Sequence, residues 1–358
     1  MGRIAIANVL VFDGEVVTGP ATVVMDEGVI QSDLIDAKII DGTGCMILPG
    51  LIDCHVHVKS EEDLKTCSKY GVTTVCDLGA YPKQVFEKLK AFKGAAEYLS
   101  SGLVAYPPGG IHARLYESLH EDMSLKDESE VADWVEARVS EGVDFLKIIG
   151  DESGFDQSTL NKIAAGGRAH GKLSIVHAAD IAAYQRALNA KCDMVTHTPV
   201  DAEVSQEIIQ QIATQGTIVI PTLFVAQQTL GNEKYAYLFP EGANFKTVMK
   251  SVRMMHRAGI PILAGTDSNS RGMGVNHGEA LHEELALLVQ SGMTPIDALK
   301  AATSSAARYF KLKDRGRIAS GLRADLILVE GDPTKNIADV KNIKTVWNNG
   351  VEFVWNEL

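Results

Sequence analysis

Residues 51–58, Leu-Ile-Asp-Cys-His-Val-His-Val, have the short apolar pattern of a buried β-strand, and they carry His55 and His57. Side chains alternate along a strand, so these two histidines point to the same face. A single histidine in a strand is usually a hydrogen-bonded core residue, whereas a pair near the carboxyl end of a strand is typical of a metal site. The segment therefore predicts a strand of a parallel sheet and a place where a metal ion binds.

Seven further short apolar segments follow, separated by amphipathic or alanine-rich stretches. This alternation is typical of β/α units, and eight units over residues 50–310 fit a barrel of about 250 residues. We therefore predict an α/β fold with a (β/α)8 TIM-type barrel over residues 49–315. The predicted strands are Leu51–Val58, Thr73–Leu78, Gly102–Tyr106, Phe145–Ile149, Leu173–His177, Met194–His197, Thr217–Leu223 and Pro261–Asp267.

Both ends of the chain predict a second, smaller β unit. Residues 3–47 alternate short strand patterns with turn signals, and residues 324–329 and 345–355 predict further strands with an Asn349-Gly350 turn. Neither end has enough strands to cover its own apolar face, so we expect the two ends to share one sheet. We predict a small β-sandwich domain from residues 1–48 and 316–358.

The composition excludes several classes of partner. The 358 residues are 46% hydrophobic and 22% charged, with a net charge of −12 and no run rich in Lys or Arg, which argues against nucleic-acid binding. No apolar run approaches the roughly 18 residues of a membrane span, and the first residues lack a signal-peptide pattern. Five cysteines without a CxxC pair favour reduced, buried thiols. We expect a cytoplasmic protein with a small-molecule substrate, without nucleic-acid or membrane partners, and by default a symmetric homo-oligomer.

Four more polar residues each end an apolar segment. Barrel active sites lie at the carboxyl ends of the strands, so we expect these side chains to lie near the first two histidines. Ionisable side chains are costly to bury unless they are paired or coordinated, which makes unrelated core residues the weaker explanation. The four residues are Lys147, His177, His197 and Asp267.

Longer motifs surround these residues. They are Leu48-Pro-Gly-Leu-Ile-Asp-Cys-His55-Val-His57, Gly265-Thr-Asp267 and Gly316-Arg-Ile-Ala-Ser-Gly-Leu-Arg-Ala-Asp-Leu-Ile-Leu328. Over essentially the whole chain the sequence resembles the amidohydrolase superfamily, and within it the imidazolonepropionase-like and prolidase-like branch. The resemblance implies a barrel with a β-sandwich built from both termini, one or two divalent metals, and hydrolysis at carbon or phosphorus centres.

The resemblance also implies a binuclear metal centre. One metal would be bound by His55, His57 and Asp267 and the other by His177 and His197, with a hydroxide and a carboxylated Lys147 between them. Zinc is the first expectation for nitrogen and oxygen ligands, and manganese, cobalt and iron are compatible with them. The metal-activated hydroxide would attack the substrate, and Asp267 would act first as general base and then as general acid.

The predicted modification of Lys147 has a physical reason. Two metal ions would repel a lysine ammonium, whereas the carbamate formed with CO2 is an anionic oxygen ligand. The alternative is a structural lysine paired with Asp144 or Asp151.

Two loops and one helix carry further candidates. Residues 106–116 resemble the glycine-rich histidine loop of the family, although Ile111 separates the glycines from the histidine. Residues 268–277 are expected either to cover the pocket or only to connect two elements. His282 is expected on a solvated helix face. The predicted substrate contacts are His112, Arg114, which could hold a substrate carboxylate, and Tyr116.

The substrate is left open by the sequence, because many chemistries share this fold and metal centre. An amide is favoured, in particular an Xaa-Pro or other dipeptide or an N-acyl amino acid, with lactones and phosphotriesters as alternatives. A deaminase of this kind typically has a glutamate three residues after the strand-five histidine, where this chain has Asp180. A non-catalytic scaffold is the remaining alternative, disfavoured because buried imidazoles need partners.

Overall fold

The structure, a computed structural model, describes residues 2–109, 113, 124–151, 155–270 and 272–355. The chain divides into two compact units. Unit 1 consists of Met1–Cys76, Leu89–Tyr98 and Leu263–Leu358, and unit 2 consists of Asp77–Lys88 and Leu99–Ile262.

The described strands, in chain order, are β1 (Ile4–Phe12), β2 (Val17–Asp26), β3 (Val29–Gln31), β4 (Lys38–Asp41), β5 (Cys45–Pro49), β6 (Leu51–His57), β7 (Val72–Asp77), β8 (Glu97–Ser100), β9 (Leu146–Ile149), β10 (Ser174–His177), β11 (Met194–Thr196), β12 (Ile218–Ile220), β13 (Ser268–Asn269), β14 (Leu326–Glu330), β15 (Ile343–Asn348) and β16 (Val351–Glu352). The described α-helices are Glu61–Lys69, Lys83–Ala91, Val131–Ser140, Gln157–Ala169, Ile181–Asn189, Gln206–Gln215, Leu223–Thr229, Phe245–Arg257, Glu279–Gln290, Pro295–Ala301 and Ser304–Tyr309. Short 3-10 helices span Glu128–Glu130, Glu233–Leu238 and Ile337–Lys341.

The two ends of the chain share one sheet, as predicted. Its strand order is β16-β15-β14-β5-β1-β2-β3, with β4 paired to β1, and the join between the ends is the antiparallel pair β5 and β14. Asn349 and Gly350 both have positive φ, which is the backbone that the predicted two-residue hairpin turn requires. Buried Ile6, Ile47 and Trp347 pack in the core of this sheet. The prediction that residues 1–48 and 316–358 form a separate domain stays a prediction.

Unit 2 contains a parallel sheet in the order β12-β11-β10-β9. Nearly every residue of these strands is buried, which explains their continuous apolar sequence. The helices between them begin at capping side chains, because Asp156, Asp180 and Ser205 each accept a hydrogen bond from the backbone N–H three residues on. The predicted β/α units are therefore present here. Closure of eight strands into a barrel stays a prediction.

Three of the eight predicted strands have the wrong bounds. The third strand is β8, before Gly102, because Gly102 has a φ of 59° and interrupts the extended backbone. The seventh ends at Ile220, since Pro221 cannot donate to the ladder and Leu223 already begins a helix. In the predicted eighth segment Ile262 forms an isolated bridge with Val219, and the short strand β13, which pairs with β6, begins only after Asp267, whose φ is 57°.

His282 does not lie on a solvated face, contrary to the prediction. It is 3% exposed, and its Nε2 lies 2.9 Å from the carbonyl oxygen of Tyr70. The reason is that Glu279–Gln290 is buried over much of its circumference, so that Glu284 is buried as well. Four of the five cysteines are buried and all five are free. Within the described ranges, no helix is both long and apolar enough to cross a membrane.

Candidate metal centre

Three candidate ligands of unit 1 lie together at the end of β6. His55 and His57 are on one face of this strand, and their Nε2 atoms lie 3.4 Å and 3.0 Å from Oδ1 of Asp267. The backbone N–H of Asp267 donates to the carbonyl of His55 at 2.8 Å, which fixes the loop beside the strand. The structure thus brings together three of the predicted site residues.

A buried carboxylate, Asp53, ties these two segments together. It is 1% exposed and accepts hydrogen bonds from Oγ1 of Thr266 at 2.7 Å, from the N–H of Thr266 at 3.1 Å and from the N–H of His55 at 3.2 Å. Burial raises the pKa of Asp53 to about 7, although these hydrogen bonds act in the opposite direction. Sequence reasoning missed Asp53. Strand alternation could have identified it, because residues 53, 55 and 57 share one face.

The segment after Asp267 folds back on itself. The N–H of Asn269 donates to the carbonyl of Val275 at 3.2 Å, and Oγ of Ser268 lies 2.9 Å from Nδ1 of His277. Nε2 of His277 lies 3.8 Å from Oδ1 of Asp63. Burial lowers the pKa of His277, while the nearby Asp63 carboxylate acts in the opposite direction. Residues 268–277 are therefore held by side-chain as well as backbone contacts, with Arg271 outside the described residues.

Lys147 and His177 occupy neighbouring strands of unit 2. Lys147 is 2% exposed, and its Nζ donates to Oγ1 of Thr196 at 2.8 Å. Nε2 of His177 lies 3.4 Å from Oδ1 of Asp151, and the His177 and His197 ring centroids are 4.4 Å apart. Of the three predicted ligands of unit 2, Lys147 lies within β9 opposite Ile175, His177 is the last residue of β10, and His197 directly follows β11.

His197 is fixed by three hydrogen bonds. Its backbone is left-handed, with a φ of 72°, and its N–H donates to the carbonyl of Ile220 at 2.8 Å. The Tyr184 hydroxyl donates to the His197 carbonyl at 2.7 Å, and Oγ1 of Thr222 lies 2.8 Å from Nδ1 of the imidazole. Sequence reasoning missed Tyr184 and Thr222. The polar Thr222 just after an apolar strand was the available signal.

The donor chemistry of these side chains fits a divalent metal ion. Imidazole nitrogen and carboxylate oxygen are the ligands of zinc and of its neighbours in the transition series. In unit 1 two imidazole nitrogens converge on one carboxylate oxygen, and His55 and Asp267 belong to a set of side chains able to hold a metal ion. As an ammonium, Lys147 has no free electron pair to offer a metal ion, whereas its carbamate would offer anionic oxygens.

The predicted substrate contacts His112, Arg114 and Tyr116 lie outside the described residues. Of the two acidic residues offered as structural partners of Lys147, Asp144 accepts a hydrogen bond from the N–H of Ser100 at 2.8 Å, and Asp151 lies beside His177. Nζ of Lys147 donates a hydrogen bond to the hydroxyl of Thr196.

Residues 46–352 match the model of the amidohydrolase family. The chain therefore belongs to the amidohydrolase family, a class of hydrolases, and the predicted family is confirmed. Among curated relatives, it is 26% identical over 316 residues to adenine deaminase of Gluconobacter oxydans (strain 621H), covering 85% of this chain and 50% of that protein. It is 26% identical over 355 residues to adenine deaminase 2 of Desulfotalea psychrophila, covering 95% and 55%. The chain spans about half the length of these curated relatives.

Two solved structures have the same fold. One is a Xaa-Pro dipeptidase with bound methionine in the active site, with a TM-score of 0.84, 22% identity, and coverage of 98% of this chain and 99% of that one. The other is a putative prolidase from Bifidobacterium longum, with a TM-score of 0.85, 23% identity and coverage of 99% and 95%. At such identities these neighbours establish the fold and leave the substrate open.

Proposed function

We propose that the chain is a metal-dependent hydrolase that cleaves a carbon–nitrogen bond of a small-molecule amide. The observation that carries the proposal is the convergence of two histidine nitrogens on Asp267, in a chain of the amidohydrolase family. We further propose that both groups of residues bind metal at one binuclear centre. Its proposed ligands are His55, His57, Lys147, His177, His197 and Asp267.

A bound divalent cation would supply a Lewis acid for the substrate carbonyl and lower the pKa of a water molecule toward neutrality. Asp267 is the group proposed to take the proton from that water and to return it to the leaving nitrogen. Its position suits this role, because the left-handed backbone and the hydrogen bond to the His55 carbonyl fix its carboxylate beside two imidazoles. Zinc is the proposed metal, with manganese, cobalt or iron as alternatives.

We propose that Lys147 carries a CO2-derived carboxyl group. The lysine is 2% exposed in β9, whose four residues are all buried, and a charged ammonium is costly to bury. Carboxylation would replace that cation with an anionic oxygen ligand, and the Thr196 hydroxyl, 2.8 Å from Nζ, would then be placed to hold the modified end.

A second candidate, deamination, is raised by the adenine deaminases among the curated relatives. Asp180 is the residue at the position of the expected proton shuttle, three after His177. Its carboxylate accepts a hydrogen bond from the N–H of Ala183 at 2.7 Å and caps Ile181–Asn189. Asp180 caps its helix and has a shorter side chain than the glutamate expected of a deaminase, so hydrolysis of an amide is the better supported function.

The amide that we favour is an Xaa-Pro or other dipeptide or an N-acyl amino acid, because the sequence motifs resemble the prolidase-like branch. The test is a panel of dipeptides, N-acyl amino acids, lactones, phosphotriesters and adenine, assayed with metal-reconstituted protein. Turnover of dipeptides or N-acyl amino acids is expected to exceed that of the rest. Ammonia release from adenine as the fastest reaction would make the protein a deaminase, and no turnover with less than about one metal bound per chain would favour a scaffold.

A further inference from the structure

Thr222 has a backbone conformation that is costly for its side chain. Its φ is 48° and its ψ is 54°, which is the left-handed region. A β-branched residue is a true outlier there, because its branched side chain crowds the following peptide group. Such strain persists where the surroundings impose it, and it is common at functional sites. The strained backbone therefore marks Thr222 as a candidate functional residue.

The hydroxyl of Thr222 does not cap the helix that begins after it. Thr222 is the N-cap residue of the helix Leu223–Thr229, and threonine is a favoured N-cap because its oxygen accepts from the first turn. The helices that begin at Asp156, Asp180 and Ser205 are all capped in this way, but Thr222 makes no side-chain cap bond. Its Oγ1 instead lies 2.8 Å from Nδ1 of His197. The threonine is 1% exposed, so this contact is shielded from water.

The contact bears on which nitrogen of His197 can bind a metal. A neutral imidazole has one N–H and one free nitrogen, and the hydrogen bond at one ring nitrogen decides which is which. If Nδ1–H donates to the Thr222 hydroxyl, Nε2 keeps its electron pair for a cation. The backbone of His197 is fixed by Ile220 and Tyr184, whereas the threonine contact is made to a ring nitrogen and therefore acts on the orientation of the ring.

We propose that Thr222 is a positioning residue that holds His197 as the Nδ1–H tautomer, with Nε2 presented for metal binding. The inference rests on the proposed function, in which His197 is a metal ligand. Thr222 makes no side-chain cap bond and has a strained backbone, while its hydroxyl orients the His197 ring in the absence of metal.

The test compares three threonine variants in the full chain. Thr222→Val keeps the shape and the β-branch and loses only the hydroxyl, whereas Thr222→Ser keeps the hydroxyl. Thr229→Val is the matched control, because Thr229 is another buried threonine of unit 2 whose hydroxyl donates to a carbonyl, that of Val225. The readouts are zinc affinity by chelator competition, the 15N shifts of the His197 ring in metal-free protein, and thermal unfolding of metal-free protein.

Thr222→Val is expected to weaken zinc binding about 10- to 100-fold and to shift the His197 tautomer balance, as is usual when a partner of a ligand histidine is lost. Thr222→Ser and Thr229→Val should bind zinc within about threefold of the parent, a margin well below that range. Unchanged zinc affinity in Thr222→Val, or equal losses in Thr229→Val, would overturn the inference. His197→Ala distinguishes a failure of the proposed ligand set from a failure of the role of Thr222. If His197→Ala binds zinc normally, the proposed ligand set is wrong. If His197→Ala loses zinc and Thr222→Val does not, only the role of Thr222 is wrong.

Discussion

The candidate ligands of unit 1 and those of unit 2 are supported by different chemical groups. In unit 1, Asp53, a buried carboxylate, accepts hydrogen bonds from the N–H groups of His55 and of Thr266, the residue before Asp267. In unit 2, Lys147 and His197 lie against the neutral hydroxyls of Thr196 and Thr222. Because its pKa is about 7, Asp53 adds negative charge near its cluster as the pH rises through neutrality, whereas a hydroxyl orients its neighbour without adding charge. We therefore expect cation binding by the unit 1 cluster to strengthen as Asp53 ionises, and Lys147 and His197 of unit 2 to depend more on the geometry of their hydroxyl partners.

Removing one ligand from each cluster tests directly whether both clusters bind metal. His55→Ala and His177→Ala are each expected to abolish activity and to lower bound metal to less than about one ion per chain, since structural and catalytic metals need most of their ligands. Elemental analysis with assays of the best substrate measures both. His170→Ala, which changes an exposed histidine, is the control and should keep its metal. Full occupancy and turnover in either ligand variant would remove that residue from the centre.

Lys147→Ala tests whether a carboxylated Lys147 lies between two metal ions as a shared ligand. Without the carboxylated side chain, we expect about one bound metal and a nearly inactive protein, because the anionic oxygens between the two metals are gone. A short carboxylic acid added to the buffer should restore part of the activity. Lys162→Ala changes an exposed lysine of the same unit and serves as the control. Two metals in Lys147→Ala, or an unmodified amine at Lys147 in a high-resolution map of the active two-metal enzyme, would rule out the carbamate.

Asp267→Asn should separate metal binding from proton transfer. The amide oxygen can still coordinate, but it cannot take a proton, so kcat is expected to fall at least about a hundredfold while some metal remains. Steady-state kinetics and metal analysis of one preparation give both quantities. An unchanged kcat would assign the acid–base role to another residue.

His282 gives a pH-dependent test outside both clusters. Burial lowers its pKa to about 4 from an ordinary 6.5, so between these values the unfolded chain binds a proton that the folded chain does not. Folding stability is therefore lost as the pH falls from 6.5 to 4, by up to about 3 kcal/mol. We expect the difference in unfolding free energy between the parent and His282→Gln to change in this window and to be constant above pH 7. Denaturant titrations at several pH values measure it, and a constant difference at all pH values would contradict it.

Tyr184→Phe is expected to have the smallest effect, and it tests whether backbone position or ring orientation of His197 matters more for metal binding. It removes the hydrogen bond to the His197 carbonyl and should lower the free energy of unfolding by about 1 kcal/mol. Metal affinity is expected to fall less than in Thr222→Val, because the ring contact of His197 is kept. A larger loss of metal in Tyr184→Phe would mean that backbone position, rather than ring orientation, limits the unit 2 cluster.

Much of the candidate site was predictable because the chemistry follows the strands. Alternation along β6 puts His55 and His57 on one face, and the apolar run before His177 marks the end of a strand. The shared sheet followed from the need of each chain end to cover an apolar face. These features depend on patterns within a few residues of one another.

The rest was not predictable from local sequence. His197, Thr222 and Asp267 have left-handed backbones, and nothing in their own residue types requires this conformation. It is stabilised by partners elsewhere along the chain, such as the carbonyl of His55 for Asp267. The burial of His282 has a similar origin, because the carbonyl it contacts belongs to Tyr70, more than 200 residues earlier.

The pairing of β5 with β14 has a consequence for the order of events during synthesis. More than 270 residues separate the partners, since Pro49 pairs with Leu326. At about 5–20 residues per second, the ribosome needs roughly 15–55 seconds to cover that distance. Throughout that interval β5 exists without its antiparallel neighbour, and the apolar side chains of Ile47 and Leu48 lack the strand that later lies beside them. The nascent chain thus carries an incomplete sheet until β14 has been made.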